Sequence, residues 1–343
     1  MADVPLISIR NLKTYFYPDE GIVKAVDGAS FDIPRGKTIG IVGESGCGKS
    51  VTARSILRIV ERPGRIDEGQ ILFQPDVSGT EATAIDLAKL PADGRTMREI
   101  RGGKISLVFQ EPMTSFSPVH TVGDQIIEAI TLHMPLNKKA AKDRAVQMLR
   151  LVGIPRAEQR VDEYAYQLSG GLRQRAMIAM AISTDPILLI ADEPTTALDV
   201  TTQAQILDLM RDLQTQNHMG IMLITHDLGV IAEMADEVVV MYLGRVVEKG
   251  PVDDIFYNPK HPYTKALLKS IPSVNATPRV KLPTISGSIP HPYNRPHGCP
   301  FYPRCPEFMP GTCDAHEPEL IHVGERQDAA CFLYGGVPAG VGR

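Results

Sequence analysis

The octapeptide "GESGCGKS" (residues 43–50) constrains this chain more than any other stretch, because it fits only a tight loop between a strand and a helix. The apolar run "KTIGIVG" (37–43) before it reads as a buried strand ending in glycine, and a helical pattern begins at Lys49. Gly43, Gly46 and Gly48 let the backbone curl until its N–H groups converge, with Glu44, Ser45, Cys47 and Val51 taking part as members of the same loop. The positive end of the following helix points at that spot, which makes it a phosphate site. Lys49 can reach β- and γ-phosphates and Ser50 can ligate Mg²⁺.

A second run complements the loop. "ILLIADE" (187–193) is a buried strand from whose C-terminal end two carboxylates emerge, where ligands gather in parallel sheets. Asp192 is placed to hold Mg²⁺ through its water shell, and Glu193 to polarise an attacking water. One base and one metal suffice for phosphoryl transfer to water, which depends mostly on positioning and charge neutralisation.

The rest of the chain supplies an α/β frame. Residues 6–16 and 22–33 alternate apolar and polar side chains, which predicts antiparallel strands turning at "PDEG". "KISLVF" (104–109), "PILLIAD" (186–192) and "GIMLITH" (220–226) read as buried strands, with helices over most of 120–185 and over 200–216 and 227–235. Such alternation implies a mainly parallel core sheet. "DEVVVMYLGRVVEKG" (236–250) predicts a hairpin turning at Leu243-Gly244. Prolines crowd the chain from Pro251 to Pro318, so a boundary is expected near 250–260, and the terminal "GGVPAGVGR" is expected to be mobile. The formal charge of −4 argues against a general nucleic-acid or anionic-membrane binder. No leader-like start and no apolar run of 18 residues is present, so nothing in the sequence is expected to span a bilayer.

"LSGGLRQR" (168–175) begins a helix just upstream of the carboxylate strand, and Ser169, Gly170 and Gly171 offer a second cluster of N–H groups for an anion. One chain has no need of two such helix ends, but two chains facing head to tail do. With this element, residues 6–250 resemble the ATP-binding cassette (ABC) ATPases, with a mainly parallel core, an antiparallel β subdomain and a helical subdomain at about 111–185. "GESGCGKS" looks like Walker A, "LSGGLRQR" like the family signature and "ILLIADE" like Walker B. The resemblance implies that Gln110 is the Q-loop glutamine, which touches Mg²⁺ or water. It implies that Asp199 of "TTALD" lies at the dimer contact, that His226 contacts the γ-phosphate, and that Phe16 stacks on adenine, with Tyr15 and Tyr17 as rivals.

Two further stretches resemble the dipeptide/oligopeptide (Opp/Dpp-type) importer ATPases. One is "QEPMTSFSPVHTVGDQI" (110–126). The other is "NPKHPYTKALLKSIP" (258–272) followed by "GCPFYPRCP", within an extension expected over 251–343. This implies an ATPase working on ATP and Mg²⁺ at the cytoplasmic face of the membrane, with two transmembrane permease subunits, a substrate-binding protein and no nucleic acid. Nickel or oligosaccharide cargo remains an alternative, and a soluble ABC ATPase acting on DNA or ribosomes is the alternative of another class. Leu172, where many signatures carry Gln, suggests a paralogous ATPase as partner.

Four of the five cysteines, Cys299, Cys305, Cys313 and Cys331, fall in the extension. Their spacing lacks the C-x₂₋₄-C pairs of zinc sites and the usual ferredoxin runs, so by itself it says only that four thiolates could hold a metal. The resemblance to importer ATPases implies a [4Fe-4S] cluster, with Zn²⁺ the alternative and the loop "PEFMPGT" one residue longer than usual.

Overall fold

The computed structural model describes residues 4–76, 83–110, 115–196, 198–270, 285 and 287–335. Residues 111–114 of the stretch after Gln110, Ala197 of "TTALD" and the glycine-rich end from 336 lie outside the described residues. The chain forms two compact units, one comprising residues 1–7, 33–38 and 73–224 and the other residues 8–32, 39–72 and 225–343.

The first unit carries three adjacent parallel strands, Ile105–Val108, Leu188–Asp192 and Gly220–Ile224, in register at Leu107↔Ile190 and Ile190↔Met222. All residues of the latter two are buried, as expected for a parallel sheet covered on both faces. The helical region resolves into Val122–His133, Lys138–Leu151 and Gly170–Ile182, broken where the sequence places proline and glycine. Thr121 and Asp124 form a capping box at the first helix and Asn137 caps the second. Ala141, Ala145 and Leu149, on one face of the second helix, are fully buried.

In the second unit, strands Val23–Ile33, Ile7–Phe16 and Gly64–Phe73 lie side by side in that order. Strand Thr38–Val42 runs parallel to Glu237–Tyr242, which turns back through Leu243 and Gly244 into Arg245–Pro251. Both turn residues have positive φ, 45° and 81°, the geometry that matches the twist of a two-residue hairpin. The extension has regular elements of its own. It forms helices Val252–Tyr257 and Pro262–Lys269, and strand Asp328–Ala329 extends the sheet by pairing onto Arg245–Pro251, with Ile321–His322 pairing in turn onto Asp328–Ala329. Fully buried Glu248 anchors it there, accepting from the N–H groups of Lys260 (2.7 Å) and His261 (2.9 Å) and from Gln327 Nε2 (2.8 Å). These bonds offset the cost of burying a carboxylate, although burial still pushes its pKa up.

Candidate functional site

The phosphate loop has the predicted form. A side chain on Gly43 would collide with the Met241 carbonyl and one on Gly48 with that of Ala25, and both glycines have left-handed φ (150° and 102°). Gly46 instead faces open space, with nothing within 4 Å of an added Cβ. Helix Lys49–Ile56 begins directly from Gly48 without a side-chain cap. Lys49 is 7% exposed and folds back on the loop, its Nζ donating to the carbonyls of Gly43 (2.7 Å) and Glu44 (3.1 Å) and lying 3.8 Å from Cys47 Sγ. Cys47 is buried, and burial pushes its thiol pKa up. Ser45 is exposed, and Ser50 and Val51 are half-buried in the first helical turn.

Glu44 was expected only as a loop member, and the structure gives its side chain a partner in the extension. Its carboxylate meets Arg304 in a fork, Nη1–Oε2 2.7 Å and Nη2–Oε1 3.0 Å, and its N–H donates to Tyr263 Oη at 2.9 Å. Sequence reasoning missed both contacts. Tyr263 and Arg304 both lie inside stretches singled out in the sequence, but no local pattern tells which loop they reach.

Phe16 lies against Gly64, half-buried at the end of its strand. The rival rings are engaged elsewhere: the Tyr15 hydroxyl donates to Asp27 and the Tyr17 hydroxyl to Asp67, with the Arg65 guanidinium 4.3 Å over the Tyr17 ring. His226 is exposed two residues beyond strand Gly220–Ile224.

In the first unit the carboxylates sit where the sequence puts them. Asp192 closes its strand, 9% exposed. Glu193 follows in a left-handed conformation (φ 49°), costly for a residue with a side chain, and Glu193 N–H donates to the Ile224 carbonyl at 2.8 Å. Glu193 Oε2 accepts from Gln110 Nε2 at 3.0 Å and from Thr196 Oγ1 at 2.9 Å. Ser169 caps helix Gly170–Ile182, accepting from Leu172 N–H at 3.4 Å; Gly170 is open, and a Cβ on Gly171 would approach Thr202 Cγ2 to 2.8 Å. Asp199 caps helix Val200–Asn217, accepting from Thr202 N–H (3.0 Å) and Thr202 Oγ1 (2.6 Å), bonds that hold its pKa down.

All four extension cysteines are free thiols, Cys299 and Cys313 buried and the other two half-buried. Cys299 N–H donates to the Cys313 carbonyl at 2.8 Å. Burial first, and the neighbouring thiols after it, push Cys299 up to about 12 and Cys331 to about 11. Among the described residues no three His, Cys, Asp or Glu side chains stand at metal-ligating spacing, and the expected metal-bound module is not shown.

A glycine loop opening a helix, a carboxylate-ended parallel strand and a Ser169-capped helix are together the parts of an ABC-type ATPase. Residues 26–196 match the family described as ABC transporter, and residues 247–313 the one described as oligopeptide/dipeptide transporter, C-terminal region. The chain is 49% identical over 330 residues to the oligopeptide transport ATP-binding protein AppD of Bacillus subtilis (strain 168), covering 96% of this chain and 97% of that one. It is 46% identical over 322 residues to the dipeptide transport ATP-binding protein DppD of Haemophilus influenzae, covering 94% of each. The dimeric, post-hydrolysis ATP-binding cassette MJ0796 bound to ADP and Pi superimposes with a TM-score of 0.62 at 24% identity, over 72% of this chain and 98% of that one, and shows the fold alone. The chain therefore belongs to the ATP-binding subunits of ABC transporters, within the oligopeptide/dipeptide transporter group.

Proposed function

We propose that this chain is the ATP-hydrolysing subunit of a di- or oligopeptide importer at the cytoplasmic face of the membrane. ATP closes a pair of cassettes, and hydrolysis reopens them. The observation that carries this reading is the near full-length similarity to peptide-transport ATP-binding proteins, extension included. Among the described residues no helix is long and apolar enough to cross a membrane, so import requires separate membrane subunits. Two permease subunits, moved through the surface around Gln110 and residues 111–126, and an extracytoplasmic substrate-binding protein fill that need. Leu172 in the signature supports a paralogous ATPase as the second cassette.

In this reading the chain divides into a cassette over 1–250, with its helical subdomain at about 111–185, and an extension over 251–343. Lys49 neutralises the β- and γ-phosphates, and Ser50, Gln110 and Asp192 serve the Mg²⁺. Glu193 takes the proton of the attacking water, His226 contacts the γ-phosphate and Phe16 stacks on adenine. Ser169, Gly170, Gly171 and Asp199 serve the nucleotide of the partner cassette. The four extension cysteines suit a metal as a donor set by their chemistry, since four thiolates are ligands for an iron–sulfur cluster or zinc. Cys299, Cys305, Cys313 and Cys331 would hold a [4Fe-4S] cluster, or Zn²⁺, as a structural staple for a proline-rich segment. The deciding experiment is co-purification of the tagged chain from its own membranes, with ATP-dependent uptake of labelled peptide in reconstituted vesicles. Recovery with ribosomes or DNA, without permeases, refutes it.

A further inference from the structure

All three polar functions of Glu44 are engaged. Its carboxylate meets Arg304, its N–H donates to Tyr263 Oη, and its carbonyl accepts from Lys49 Nζ at 3.1 Å. The first two partners come from the extension, 260 and 219 residues away, and the third is the phosphate-binding lysine. Both extension side chains are firmly seated. The Arg304 side chain is 4% exposed and its Nη1 also donates to Tyr242 Oη at 3.2 Å. Tyr242, Tyr263 and Phe301 pack as a fully buried trio with ring centroids 4.7–5.4 Å apart. Phe301 and Arg304 belong to one short turn, closed by Arg304 N–H donating to the Phe301 carbonyl at 3.0 Å and framed by Cys299 and Cys305.

A bidentate arginine–carboxylate pair fixes orientation as well as distance. Here it fixes the second residue of a loop whose glycines would otherwise leave it free to change shape. We propose that Arg304 and Tyr263 are positioning residues for the phosphate loop, through which the folded extension sets the affinity for nucleotide. The proposal rests on the ATPase reading of that loop. Holding Glu44 presets the loop curvature and the resting place of Lys49, so less ordering remains when ATP arrives. By linkage, bound nucleotide must in turn stabilise the turn Cys299–Cys305.

The test is calorimetric titration of the full chain carrying Glu193→Gln with Mg²⁺-ATP, with and without changes at the fork. No binding by that parent would refute the ATPase reading itself, separately from this proposal. With the parent binding, Arg304→Met, which keeps side-chain length and removes the fork, should weaken affinity about tenfold, within the usual range of coupling between sites. Glu44→Gln should weaken it similarly, and the double variant no further. Tyr263→Phe, which preserves the ring packing, should weaken binding by a smaller factor and covers the case in which Arg304→Met does not fold. Unchanged affinity in whichever of the two folds overturns the proposal, as does an additive double variant. Backbone hydrogen exchange over residues 299–305 should slow on adding ATP to the parent and not to Arg304→Met; exchange indifferent to ATP in the parent also overturns it.

Discussion

Gln110 and Glu193, 83 residues apart in sequence, are joined by a hydrogen bond of 3.0 Å from the amide to carboxylate Oε2. Thr196, three residues on, donates to the same oxygen, so the side chain proposed as base is held in one orientation by two donors. In the proposed mechanism this orientation places the carboxylate against the attacking water.

Glu193→Gln should retain ATP binding and lose hydrolysis by about 10²–10⁴-fold, the usual effect of removing a general base. The glutamine can still accept from Gln110 and Thr196, so the fold around it should persist. Turnover in the assembled complex within threefold of the parent would remove Glu193 from this role.

Gly170→Asp separates function from stability. The added side chain meets open space, and an acidic residue in the first turn favours the helix, so the melting temperature should not fall. Turnover of the paired cassettes should nevertheless drop about 10²-fold, because a negative charge now faces the partner's phosphates. A dilute, monomeric sample of the unmodified chain as active as the assembled pair would contradict the head-to-tail reading.

Much of the nucleotide site was legible because strand, loop and helix are adjacent in sequence. Local spacing fixes the curl of residues 43–50 and puts Asp192 and Glu193 at a strand end. The hairpin at Leu243-Gly244 was legible for the same reason. What escaped were the long-range partners. Arg304 and Tyr263 carry no periodic signature, and the two-residue strands at 321–322 and 328–329 are too short for alternation to register; only the pairing of 328–329 onto Arg245–Pro251 and of 321–322 onto 328–329 creates them. Asp199, expected from the resemblance at a dimer contact, has a local cap role that its Asp-x-x-Thr spacing would have suggested.

The extension cysteines make a direct test of metal. Anaerobically purified protein should be brown and carry about four irons per chain, and Cys305→Ser should bleach it. About one zinc and no iron would replace the cluster by a zinc site. No metal, with readily labelled thiols, would dismiss the staple.

Acid should loosen the extension through His261. Burial, aided by Lys265, lowers its pKa from 6.5 to about 3, so it stays neutral when folded, and its Nδ1 accepts from Tyr263 N–H at 3.0 Å. The unfolded chain takes up a proton below pH 6.5, so stability is full above that pH and falls as pH drops toward 3, by about 1.4 kcal/mol per pH unit. Glu248, raised by burial, has the opposite sign, its contribution falling as pH rises above 4.5. His261→Asn keeps a cap acceptor and removes only the first effect. Denaturant midpoints between pH 7 and 5 should therefore change less in the variant, and equal slopes would exclude His261 as the cause.

The pairing of Thr38–Val42 with Glu237–Tyr242, and of Glu44 with Arg304 beyond it, has a consequence for the nascent chain. Glu44 leaves the ribosome 260 residues before its guanidinium partner is made. At about 5–20 residues per second that interval is on the order of 10–50 s. For most of that interval the parallel neighbour of the strand that carries the loop, Glu237–Tyr242, is also still unmade, so neither the strand pairing nor the fork can hold Glu44 until the extension follows.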